Sequence, residues 1–197
     1  MLSGAAPAAI QKGCIFMKSK TTTLMVWLTN LGKYNEGELI CTELYLPATD
    51  EEIQEAFDKI GVKDGTMYEE AFITDSESDI PGVSDLVKEY SGIDYLNELA
   101  QQIEDLEEYE LDVFSAIIES GESAEYAFKI VRDGNYMCFY DCFTMAAVAE
   151  QYAEETGLLD SMPEHLRYYF DFESYGRDME IEGHFLKTDN GIIEIWY

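Results

Sequence analysis

The residue types that carry chemistry in this chain are overwhelmingly carboxylates: 41 Asp and Glu stand against 12 Lys and Arg among 197 residues, for a net charge of −29. With so many acids, some pair always falls at a glycosidase-like separation, so paired carboxylates alone do not identify a hydrolase. No GxSxG, Walker loop, GxGxxG or HExxH pattern occurs. Cys138 and Cys142, with His165 and His184, are the residues a zinc site would draw on. However, a C-x3-C without a second tight pair is weak ligand spacing, and the cysteines read as small buried hydrophobes. The segment DSESDIPGVSDL (Asp75–Leu86) begins like a calcium loop. Yet Ile80 stands where such a loop needs Gly, and Leu86 where it needs Glu. No catalytic, metal or cofactor site is expected.

The remaining chemistry is charge display, and the charge is unevenly spread. Residues 21–61 hold 8 acids and 2 bases (8 − 2, or −6), residues 62–120 hold 17 and 2 (−15), and residues 121–197 hold 16 and 5 (−11). Lys63 and Lys88 are the only bases of the middle third. An ordinary solvated face mixes both signs; this one does not. One acid per 3.5 residues is one per roughly 5 Å of helix. Two such helices side by side carry a charge every ~2.6 Å, against about 1.7 Å for duplex DNA. The expected binding surface is therefore Asp75, Glu77, Asp79, Asp85, Glu89, Asp94, Glu98, Asp105, Glu108, Asp112 and Glu119. A surface of this sign repels nucleic acid and anionic membranes and attracts a basic partner.

These acids must be held by a folded scaffold. An apolar fraction of 47%, with 10 Phe, 14 Tyr and 2 Trp, is far too high for a disordered acidic tail. Strands are expected at Thr22–Leu28, Glu38–Leu46 and Met67–Thr74, around a helix from Asp50 to Ile60 that opens on a Thr49/Glu52 capping box. A turn segment, NLGKYNEG, joins the first two strands. After the turn-rich loop Asp75–Ser84 the pattern becomes helical. Ile93, Leu96, Leu99, Ala100 and Ile103 share one face, with Asp94, Glu98 and Asp105 opposite. In the next helix Leu111, Phe114, Ile117 and Ile118 point inward and Glu108, Asp112 and Glu119 outward. Further on come a helix near Ser123–Arg132, a strand at Tyr136–Tyr140 and a helix reaching Thr156. A short helix in MPEHLRYYF and a segment capped by Asp171 follow, and a hairpin over an Asn190-Gly191 turn closes the chain.

The fold class is thus α+β, with expected units at 21–75 (sheet plus helix), 76–121 (acidic helices) and 122–197 (a second small antiparallel sheet with helices). Residues 1–20, with Lys12, Lys18, Lys20 and no acid, read as a flexible extension before a start near Met17. No run approaches the ~20 apolar residues of a membrane span, no signal peptide is evident, and the four cysteines suit a reducing cytoplasm.

Three segments carry a family resemblance: LTNLGKYNEGEL (Leu28–Leu39), LAQQIEDLEEYELDVFSAIIESG (Leu99–Gly121) and YFDFESYGRDMEIEG (Tyr169–Gly183). Together, and in this order, they resemble the ArdA antirestriction family over about residues 24 to 196. The resemblance implies an elongated three-part protein that forms homodimers. It also implies imitation of the bent DNA bound by type I restriction–modification enzymes, so that the mimic occupies the methyltransferase core and shields incoming plasmid or transposon DNA. Other readings of the charge are a calcium-binding protein, salt adaptation, or an acidic interaction protein for another basic partner.

Overall fold

The computed structural model describes residues 22–197; the extension expected at residues 1–20 lies outside them. The described residues open with β1 (Leu24–Asn30), the centre of an antiparallel sheet flanked by β2 (Cys41–Leu46) and β3 (Ala71–Glu77). Leu24, Val26 and Leu28 alternate into the core, as a period-two strand requires. The turn segment after β1 contains a short helix, α1 (Leu31–Asn35), whose first turn is capped by the Asn30 side chain. α2 (Asp50–Lys59) carries the expected capping box: the Thr49 hydroxyl accepts from Glu52 N, and Glu52 accepts from Thr49 N at 2.8 Å. β3 begins four residues later than the sequence pattern suggests. Residues Thr66–Tyr68 are held in a turn by Tyr68 N donating to Thr66 Oγ1, and the strand pairs only from Ala71.

Three helices follow: α3 (Ile93–Glu104), α4 (Glu108–Glu119) and α5 (Ala124–Asp133). The apolar face of α3 is the expected one, with Leu96, Leu99, Ala100 and Ile103 buried. α4 differs: every residue from Val113 to Ile118 is buried, so its C-terminal half is a central helix rather than a surface one. Fully burying a side chain such as Phe114 contributes about 1.5–3 kcal/mol.

The second sheet has the order β4 (Tyr136–Tyr140), β6 (Gly191–Ile195), β5 (His184–Thr188), all antiparallel. Thr188 pairs with Gly191, so the hairpin loop is Asp189-Asn190, one residue earlier than the pattern suggests. α6 (Met145–Thr156), capped by Thr144, and α8 (Phe172–Glu182), capped by Asp171, pack beside the sheet, and α7 (Glu164–Arg167) lies in the segment that connects them. The chain is therefore α+β, with eight α-helices and two antiparallel three-stranded sheets among the described residues. One hydrophobic core runs from Leu24 of β1 through α3, α4 and α5 to Ile195 of β6. A smaller cluster joins Phe139, Cys142, Val148 and Ile192. Position 75/76 falls inside β3, and position 121/122 lies in the turn between α4 and α5.

Candidate functional site

The first five acids are placed by the edge of the N-terminal sheet. In the register of β3 on β1, Trp27 faces Asp75 and Leu28 faces Ile73, which leaves Thr74 as an extra, bulged residue. The bulge resets the alternation, so Thr74 and Asp75 are both exposed and Glu77 stays on the outer face. Beyond the strand, Asp79 accepts at 2.6 Å from the Thr22 backbone N–H. Asp85 lies in a 3₁₀ turn, Ser84–Leu86. Glu89 is brought back beside β3 because its carbonyl accepts from Ile73 N at 2.9 Å.

Of the other six, five lie on the helices and Asp105 is the C-cap of α3. Asp94 occupies the first turn of α3, where a carboxylate complements the helix dipole. Glu98 and Asp105 accept only from the neutral side chains of Gln102 and Gln101, each at 3.4 Å. Glu108 and Glu119 are exposed at opposite ends of α4. Asp112 departs from the expected outward stripe. It is half-buried, and Asn190 Nδ2 of the terminal hairpin donates to its Oδ2 at 3.1 Å. Burial raises the Asp112 carboxyl above its ordinary range; the Asn190 hydrogen bond opposes this and the charge of Glu108 adds to it. The cause is the hairpin, which folds onto α4 from 78 residues away and meets Asp112, between the exposed Glu108 and Glu119.

Ten of the eleven acids are exposed, and none takes part in an ion pair among the described residues. The ion pairs lie elsewhere: Lys33 with Glu36 and Glu38, Lys129 with Asp133, and Arg167 with Asp160. Of the two middle-third bases, Lys88 turns its ammonium to the Asp85 carbonyl at 2.8 Å, and Lys63 enters no ion pair either. Neighbouring acids have structural uses. Glu104 accepts from the Thr23 hydroxyl at 3.1 Å, and Glu110 accepts from Glu107 N at 2.9 Å at the start of α4. The sequence pattern missed Asp64 and Glu69, which the fold places around one groove with Asp94. They lie in the α2–β3 connection, which carries no periodic signal.

The calcium-like segment Asp75–Leu86 is the end of a strand followed by a 3₁₀ turn, without the helix–loop–helix frame of an EF-hand. Cys142 donates to Gln151 Oε1 at 3.1 Å, and burial raises the Cys138 and Cys142 thiols above their ordinary range. Among the described residues no group of three or more His, Cys, Asp or Glu is placed to hold a metal ion. No described helix is long and apolar enough to cross a membrane.

The arrangement defines an α+β protein that presents fixed, unneutralised carboxylates on a continuous core. The chain belongs to the ArdA family: the model of that family, "Antirestriction protein (ArdA)", matches residues 26–194. Its members are antirestriction proteins. A comparison with curated proteins found no match.

Proposed function

We propose that this antirestriction protein acts as a DNA mimic. Its surface carboxylates take the place of duplex phosphates in the DNA-binding groove of a type I restriction–modification enzyme, on the methyltransferase core. The observation that carries the reading is the absence of neutralisation: ten exposed acids on β3, α3, α4 and their connections have no cationic partner among the described residues. Carboxylates fixed on a packed scaffold offer a preorganised target, so little ordering free energy is lost on binding. The same charge speeds encounter with a basic groove at low ionic strength. Units at 21–75, 76–121 and 122–197, arranged in an elongated homodimer, present this surface, and the benefit falls to mobile DNA entering a restricting cytoplasm.

The test is competition. A type I methyltransferase core is bound to labelled cognate duplex, and the purified protein is titrated in at two salt concentrations. Displacement near stoichiometry, stronger at low salt, supports mimicry. Displacement indifferent to salt, or none from a folded sample, counts against it and turns attention to another basic DNA-binding partner.

A further inference from the structure

Between α2, β3 and the start of α3 lies a groove of about 640 Å³, lined by residues from Leu28 to Asp94. That volume falls within the range of small-ligand clefts, about 300–1,000 Å³. Its floor is aliphatic and aromatic, with Phe57, Val62, Phe72 and Ile93. Its rim carries the carboxylates Asp64, Glu69 and Asp94, and no Lys or Arg is among the described residues that line it. Tyr90, an exposed ring, lies 6.5 Å from Phe72 and tilted 32° to it, and Tyr34 packs edge-on against Phe72 at 5.3 Å. The Tyr90 phenol is raised above its ordinary range, first by its hydrogen bond to Glu89.

We propose that this groove is the anchoring site for an arginine-bearing basic segment of the protein partner. The chemistry is complementary at each level. An apolar floor suits the methylene stem of arginine, which is buried along apolar surface while the charged head stays at the rim. The flat guanidinium stacks on an aromatic face and bonds carboxylates in a fork, which a lysine ammonium does not do. One arginine fills only part of the volume, so the occupant is a short segment. This rests on the reading of the protein as a ligand for a basic groove, and it adds a point of enclosure to an otherwise distributed surface. Buried arginine contacts of this kind are where interface energy concentrates.

The test has two arms. In the first, amide shifts of the isotope-labelled protein are followed by NMR while a blocked Arg-Gly-Arg peptide is added, and then Lys-Gly-Lys and Gln-Gly-Gln. Saturable shifts centred on Phe72, Tyr90 and Ile93, with arginine binding at least about threefold tighter than lysine, support the anchor. Equal response to lysine, or shifts spread over the whole acidic surface, overturns it. In the second arm, displacement of DNA from the methyltransferase core is measured for Tyr90→Ala, Tyr90→Phe and two double neutralisations of equal charge, D64N/D94N in the groove and E51Q/E55Q on the outer face of α2. Loss of about tenfold for Tyr90→Ala and D64N/D94N, with Tyr90→Phe near wild type and E51Q/E55Q within about threefold, is expected. If all four displace DNA like wild type, the anchor fails while mimicry stands. If the wild type displaces no DNA, the mimic reading fails, and the peptide arm alone decides the groove.

Discussion

Asn190 and Asp112 are joined by a 3.1 Å hydrogen bond from the Asn190 side-chain amide to Asp112 Oδ2, closing 78 residues of chain between α4 and the tip of the β5–β6 hairpin. The contact ties the second sheet to the central helix and makes Asp112 the one half-buried member of the acidic set. Asp79 serves the fold as well, accepting from the Thr22 backbone N–H at 2.6 Å, but it stays exposed like the other nine.

A pH dependence follows from that contact. Burial, the leading cause, raises the folded-state pKa of Asp112 above its unfolded value, so the native state holds the proton more tightly. Stability therefore falls as pH rises from the unfolded value through the folded one, and the whole cost is present above the folded value. Asp112→Asn removes the charge and keeps a hydrogen-bonding partner for Asn190. Its Tm is expected above wild type at pH 7, with the difference shrinking as pH falls into and below the ordinary Asp range. A difference that is constant with pH would show that the charge of Asp112 is not the source.

Gly176 fixes the crossing of α8 on α6. A Cβ built there meets the carbonyl of Met145, a backbone group that moves only if the helices part. Gly176→Ala is expected to cost about 1–3 kcal/mol, the usual range for overpacking a tight contact. For a chain of this length that is a fall in Tm of roughly 2–4 °C per kcal/mol. An unchanged melting curve would mean that the α6–α8 contact is looser than the backbone geometry requires.

The segments that were legible in the sequence are those whose structure is decided locally. The Thr49/Glu52 capping box and the Asp171 cap involve side chains three residues from the groups they satisfy, so their pattern survives any tertiary context. The LTNLGKYNEGEL segment is partly local too. Asn30 caps α1 through Lys33 N, and the same side chain donates to the Tyr68 carbonyl at 3.2 Å, while Gly32 lets Met67 and Tyr68 approach. What could not be read depends on distant chain. The bulge at Thr74 needs β1 as its partner, and its acidic continuation, Asp75–Glu77, has the composition of a loop. The covering of Asp112 needs a hairpin 78 residues away. The groove acids Asp64 and Glu69 become neighbours of Asp94 only when α2 and α3 are both in place.

Lys33 provides a test of the part that is not acid-rich. Its ammonium lies 3.4 Å from Glu38 Oε2, 3.8 Å from Glu36 Oε2 and 4.5 Å above the centre of the Tyr68 ring. Lys33→Met keeps the stem and removes these attractions. The expected loss is small, because partly exposed ion pairs and cation–π contacts each contribute little. The loss should shrink in high salt. Chemical denaturation at low and high ionic strength checks both points.

The acids of α3 and α4 make the sharpest prediction, because fold and function should respond with opposite signs. Asp94 and Glu98 lie four residues apart on one helix, as do Glu108 and Asp112 on the next, and like charges at that spacing cost a few tenths of a kcal/mol each. The fourfold variant E98Q/D105N/E108Q/E119Q changes the net charge from −29 to −29 + 4 = −25. Its Tm is expected above wild type at low salt. The two should converge near 1 M salt, where the screening length is about 3 Å. Displacement of DNA from the methyltransferase core is expected to fall about tenfold or more in the same variant, while each single change costs about threefold or less, because the charge is shared. A lower Tm would mean that these carboxylates hold the fold together. Unchanged inhibition in a more stable protein would mean that the partner does not read these helices by charge. Only the combination of gained stability and lost inhibition fits carboxylates retained, at a cost to folding, for the sake of the surface they form.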